Sequence, residues 1–155
     1  MNKPKLTAVL ALAVAMLFVA CDRKTVFDSY DHTPINGWEK NDTLTFAIDS
    51  VRQSGEYVEE IGVRINGLYP FTSLSLFVQQ TVLPSGKTYD MTLNCRFTDR
   101  KGKNKGNGIS YYQYSFPMKA IQLETGDSLR VAIRHNMKRE ILPGVSDIGL
   151  KLTKR

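Results

Sequence analysis

The chain has 155 residues, 42% of them hydrophobic and 23% charged, with 11 Gly, 6 Pro and 2 Cys. That balance is globular and excludes a disordered chain, a collagen-like repeat and a disulfide scaffold. One long apolar run excludes a polytopic membrane protein, the size suits one domain, and a net charge of +6 is too mild to imply nucleic acid.

The N-terminus carries an address. Lys3 and Lys5 precede an uncharged, almost wholly apolar run of 15 residues, Leu6 to Ala20. A helix of that length spans about 22 Å, short of the ~30 Å bilayer core. The run therefore fits the h-region of a signal peptide, residues 1–20. It stops at Ala20-Cys21, and Asp22-Arg23-Lys24 follow at once. This junction resembles the lipobox of bacterial lipoproteins, with Phe18 where Leu is usual. The resemblance implies cleavage before Cys21 and acylation of Cys21 with palmitate-type chains. One chain anchors only marginally, whereas bacterial lipoproteins typically carry three. The mature chain is then held on a membrane from outside the cytoplasm. Loss of Lys3 and Lys5 leaves 19 basic residues against 15 acidic, net +4. No acidic run of the surface-export type follows Cys21, and the expected location is the periplasmic face of the outer membrane.

Residues 22–42 are polar, with Pro34, Gly37 and the single Trp38. They read as a tether and irregular lead-in, residues 21–42, to a domain over 43–155. Met118 to Leu123 suits one helical turn. Elsewhere period-2 alternation dominates. Leu44, Phe46 and Ile48 alternate with polar residues; Ile61, Val63 and Ile65 are in phase within 58–66, and Leu74, Leu76 and Val78 follow. Pro84-Ser85-Gly86-Lys87 signals a turn. The segment 88–97 is the cleanest strand, with Tyr89, Met91, Leu93, Cys95 and Phe97 in phase. Residues 109–116, 129–135 and 145–152 are also extended in character. Seven or eight strands with one apolar face each predict an all-β, antiparallel β-sandwich.

Catalytic motifs are missing. With Cys21 acylated, Cys95 has no disulfide partner and reads as a small buried hydrophobe. His32 and His135 lack metal-site spacing, and His135 falls on an apolar phase. Glu59 and Glu60 are adjacent, so on a strand they point to opposite faces. No catalytic residue, metal or cofactor is expected. The strongest local bias is residues 99–108, with Lys101, Lys103 and Lys105 among four positive charges. It reads as a solvated hairpin tip or a basic contact loop. Tyr111, Tyr112 and Tyr114 suit sheet packing or a binding face; Trp38 suits a plug at the sandwich edge or a sugar platform. Pro143-Gly144 breaks the chain before the last strand, as a connection or as a partner-binding loop.

A wider resemblance rests on several segments in order. They are Cys21-Asp22-Arg23-Lys24-Thr25-Val26-Phe27-Asp28-Ser29-Tyr30, Asn36-Gly37-Trp38, Tyr69-Pro70-Phe71 and Leu83-Pro84-Ser85-Gly86-Lys87-Thr88. Asn136-Met137-Lys138-Arg139 and Leu142-Pro143-Gly144-Val145-Ser146-Asp147-Ile148-Gly149-Leu150-Lys151 complete the set. Together they resemble the gliding motility lipoprotein GldH family over residues 16–153. The resemblance implies a non-catalytic envelope lipoprotein with protein partners in a motility and secretion machine, and it transfers one position, Cys21. The alternative is a glycan- or peptidoglycan-binding lipoprotein using Trp38 or the tyrosines.

Overall fold

The computed structural model describes residues 24–155, so the signal segment and Cys21 lie outside the described residues. Eleven strands follow in order: β1 Thr25–His32, β2 Trp38–Glu39, β3 Leu44–Ile48, β4 Gly55–Asn66, β5 Ser73–Leu83, β6 Lys87–Arg96, β7 Tyr111–Pro117, β8 Ile121–Leu123, β9 Ser128–His135, β10 Ile141–Leu142 and β11 Val145–Lys154. No helix occurs among them. One sheet runs β1-β11-β4-β7 with β8 also on β4; a second runs β3-β9-β5-β6; β2 and β10 form a small ribbon. Every pairing is antiparallel, as expected for the sandwich.

Alternation builds the core. Tyr57, Ile61, Val63 and Ile65 of β4 and Ile148, Leu150 and Leu152 of β11 are buried. They face Leu74, Leu76 and Val78 of β5, Leu129, Val131 and Ile133 of β9, and Leu44, Phe46 and Ile48 of β3. Each such side chain contributes roughly 1.5–3 kcal/mol. A register shift between Val145 and Asp147 turns Val145 inward as well, where it is buried. This is the usual effect of a bulge.

The sequence reading needs correcting at two places. Residues 25–32, expected as irregular lead-in, form β1 against β11. Only Phe27 on this strand packs on the core, its ring edge-on to Phe46 at 6.4 Å, so an edge strand rich in Asp and Ser shows little alternation. Met118 to Leu123 is not a helical turn. Met118 and Ile121 are buried at a helix-like spacing, yet Ile121-Gln122-Leu123 alternates as β8 on β4. The segment 88–97 is a strand as expected, β6, and it is an edge: it pairs with β5 alone, and Tyr89, Met91 and Leu93 are only partly covered.

All the long strands run between two ends. The near end holds Thr25, the 48–53 turn, the 84–87 turn and Lys154. The far end holds residues 33–43, 67–72, 97–110 and 136–144.

Candidate functional site

A groove of about 680 Å³ opens at the far end. Glycine makes its wall. Gly144 has φ +80°, and a Cβ there would strike the backbone of Leu68 and Tyr69, so residues 66–69 and 142–146 lie backbone against backbone. The Asn66 N–H donates to Gly144 O at 2.8 Å, and the Tyr69 N–H to Asn66 O at 3.1 Å. Asn66 Oδ1 accepts from the Leu68 N–H at 2.9 Å, an Asx turn that thrusts Leu68 outward. On the other wall the Thr33 N–H donates to Ser146 O at 3.0 Å, and Thr33 Oγ1 to Val145 O at 2.5 Å.

The rim is apolar. Ile35 stands fully in solvent, Leu68 is 71% exposed and Tyr111 57%, with Pro143 beside them. The floor is charged. His32, Asp147, Arg64 and Gln113 form one cross-strand row over β1, β11, β4 and β7. His32 Nδ1 meets Asp147 Oδ1, which has no other partner. Ser146 Oγ donates to Asp147 Oδ2 at 2.7 Å. Arg64 Nε donates to Gln113 Oε1 at 2.9 Å, and its guanidinium lies 3.9 Å over the Tyr30 ring. That ring in turn covers Gly62 and Gly149, where any Cβ would collide with it. Burial raises the Tyr30 phenol above its ordinary range, with Arg64 pulling the other way.

The structure separates the residues singled out from sequence. Tyr111 joins the groove rim with Pro143 and Gly144. Tyr112 points to the opposite face and packs half-buried on the core. Trp38 is fully buried, its indole N–H donating to Asp42 O at 2.9 Å and its ring edge-on to His135 at 5.3 Å. It is a plug and offers no platform to a ligand. Lys101, Lys103 and Lys105 are exposed on a built loop outside the groove lining. Asp99 Oδ1 accepts from the Lys101 and Lys103 N–H groups at 2.8 and 2.9 Å, and Asn104 Oδ1 accepts from Tyr114 OH at 2.6 Å. Cys21 lies outside the described residues. Ile35, Leu68 and Arg64 were missed; the readable signal was a large aliphatic residue set between turn formers, Pro34-Ile35-Asn36 and Gly67-Leu68.

Away from the groove the titratable groups serve the core. Burial pushes the Cys95 thiol up to about 12, which leaves it un-ionised and inert. His135 is fully buried; its Nε2 faces Trp38 O at 3.1 Å and its Nδ1 the Met137 N–H at 3.4 Å, which assigns the Nε2–H tautomer. Burial holds it below the ordinary histidine range, opposed by backbone hydrogen bonds to Trp38 and Glu140. Among the described residues no group of three or more His, Cys, Asp or Glu is placed to hold a metal.

Similarity to solved structures is weak. A family GH115 4-O-methyl-α-glucuronidase with specificity for decorated arabinogalactans matches at TM-score 0.47 and 14% identity, over 87% of this chain but 18% of its own. Eiger TNF from S. frugiperda matches at 0.32 and 14%, over 83% and 92%. Neither bears on function. Sequence similarity is stronger. The gliding motility lipoprotein GldH of Flavobacterium johnsoniae is 29% identical over 97% of this chain and 98% of its own length. The profile of the GldH lipoprotein family matches residues 25–152, the whole stretch from the edge strand β1 to the last strand of the sandwich, and the chain belongs to that family.

Proposed function

We propose that this chain is a lipid-anchored envelope component of the gliding motility and associated secretion machinery, and that it acts through protein contacts at the far end of the sandwich. The observation that carries this is the clustering of Ile35, Leu68 and Tyr111, all well exposed, around one groove. Monomeric domains rarely leave such apolar residues contiguous without a partner.

The anchor gives the groove a direction. Cys21 lies four residues before Thr25, so an extended tether reaches at most about 14 Å. Thr25 begins β1 at the near end, and the strand runs eight residues to His32 in the groove, about 26 Å further on. With Cys21 acylated, the near end sits by the membrane and the groove faces away from it. On the periplasmic face of the outer membrane it would look into the periplasm. The glycan-binding alternative loses Trp38 as a platform, because that ring is fully buried.

The test is affinity purification of the acylated protein from its own membranes after mild crosslinking, beside a Cys21→Ala control. Motility or secretion proteins recovered with the acylated form and lost in the control are the expected result. The domain recovered alone, with cell-wall glycan bound, would overturn the proposal.

A further inference from the structure

Five strands lie at the margins of the two main sheets, β1, β3, β6, β7 and the three-residue β8, and all but β6 are short or blunted along their length. β1 carries a register shift between Thr25 and Phe27 and the charges Asp28 and Asp31. β3 has only five residues. The β7 margin is covered by Asn107, whose N–H donates to Gln113 O at 3.1 Å and whose carbonyl accepts from the Gln113 N–H at 2.9 Å. β6 carries such a device only at its first residue, Lys87. Its ten residues pair with β5 in unbroken register from Ser73↔Arg96 to Val82↔Lys87. It contains no Pro and no bulge, and the one charge in phase with Tyr89, Met91, Leu93 and Cys95 is Lys87 at its first position, whose Nζ lies 5.2 Å from the centre of the Tyr89 ring. Natural sheets seldom leave a long, flat edge bare.

The side chains agree with the backbone. Leu76 and Val78 on β5 are fully buried, yet their direct partners Leu93 and Met91 on β6 are only half-covered and Tyr89, opposite Gln80, is exposed. The core-facing surface runs out one strand too early. A further strand beside β6 would cover it and satisfy alternate backbone groups of the edge.

The flanks give the occupant's charge. Lys87 stands at one end of β6. Arg96 stands at the other, followed by Arg100, Lys101, Lys103 and Lys105. Asp90 accepts from Gln79 Nε2 at 2.9 Å, and Asp99 is engaged by the loop's own N–H groups. A second copy of the chain is the wrong occupant. Two-fold pairing of β6 with itself is antiparallel and sets Lys87 of each copy beside Arg96 and the basic loop of the other, like charge against like.

We infer that β6 is a strand-addition site for an extended segment of a partner protein, alternating apolar with acidic or neutral polar residues. Main-chain hydrogen bonds would supply the affinity and the half-open Tyr89–Met91–Leu93 face the specificity.

The test uses the full chain in detergent micelles and a synthetic decapeptide alternating Val with Glu and Thr. The expected result is saturable binding with hydrogen exchange slowed about tenfold or more at β6 amides and unchanged at β1 and β3. Backbone N-methylation at alternate peptide positions should weaken binding at least about tenfold. Replacing Lys101, Lys103 and Lys105 by Glu should weaken it at low salt only. Equal affinity of the N-methylated peptide, protection confined to the far-end groove or to β1, no binding at all, or self-association through β6 would each overturn the inference. None of these readouts involves Cys21, so failure here is separable from failure of the anchored reading.

Discussion

Glu59 is fully buried between the sheets. Gln80 Nε2 of β5 donates to its Oε2, and Oε1 has no partner. Burial pushes the carboxyl up from 4.5 to about 7, with Gln80 opposing. The folded protein therefore holds this proton where the unfolded chain has lost it. The stabilisation is complete below pH 4.5 and is lost as pH rises through about 7, amounting to about 3 kcal/mol. His135 works in the opposite sense, because burial lowers its pKa and its contribution fades as pH falls below 6.5. Urea unfolding of wild type and Glu59→Gln at pH 5 and pH 8 isolates the carboxyl. The variant should gain on wild type by about 2–3 kcal/mol on going to pH 8; an equal difference at both values would show that Glu59 does not titrate in the fold. Cys95 gives a second test at this scale. With its thiol pushed up to about 12, a thiol reagent at pH 8 should label it only on unfolding.

Elements were legible where one face is buried along the whole strand. Leu44, Phe46 and Ile48 on β3 and Leu129, Val131 and Ile133 on β9 alternate in sequence because they alternate between core and solvent. β1 was illegible for the converse reason: it lies at a margin, where only Phe27 must reach the core. The two-residue strands β2 and β10 are too short to show a period, and their buried anchors, Trp38 and Leu142, read as isolated residues. The groove was half legible. Tyr111 and Pro143-Gly144 stood out, whereas Arg64 looked like an ordinary outward residue of β4, since only the register places it beside Asp147 and Gln113. Gly144 joins the two wall segments, and Gly144→Ala combines a positive φ with a backbone clash. It should cost about 1–3 kcal/mol and shift the amide resonances of residues 66–69 in an otherwise intact sandwich. A neutral substitution with those resonances unmoved would mean that the wall does not depend on this contact.

At the scale of the whole molecule the two ends differ in character. The near end, where β1 begins at Thr25, carries a cavity of about 520 Å³ lined by Asp49, Arg52, Gln53 and Lys154 among others. The far end carries the apolar rim, the basic loop 99–108 and the segments Asn36-Gly37-Trp38, Tyr69-Pro70-Phe71 and Asn136-Met137-Lys138-Arg139. Trp38 does not face a partner there. It locks the far-end loops by filling the space between β2 and His135, and Trp38→Ala should cost about 3–5 kcal/mol in a urea titration. With Cys21 acylated as proposed, a domain held by its near end and apolar at the other is suited to presenting that far surface to other proteins.

Site-specific photocrosslinking in living cells tests this most directly, with the photoreactive residue placed at Leu68 or Tyr111 on the groove rim and at Arg52 on the near end. Defined adducts with other envelope proteins should form from Leu68 and Tyr111, be absent from Arg52, and disappear when Cys21→Ala removes the anchor. Adducts from Arg52 but not from the rim, or rim adducts indifferent to Cys21, would contradict a lipid-tethered domain that works through its far end.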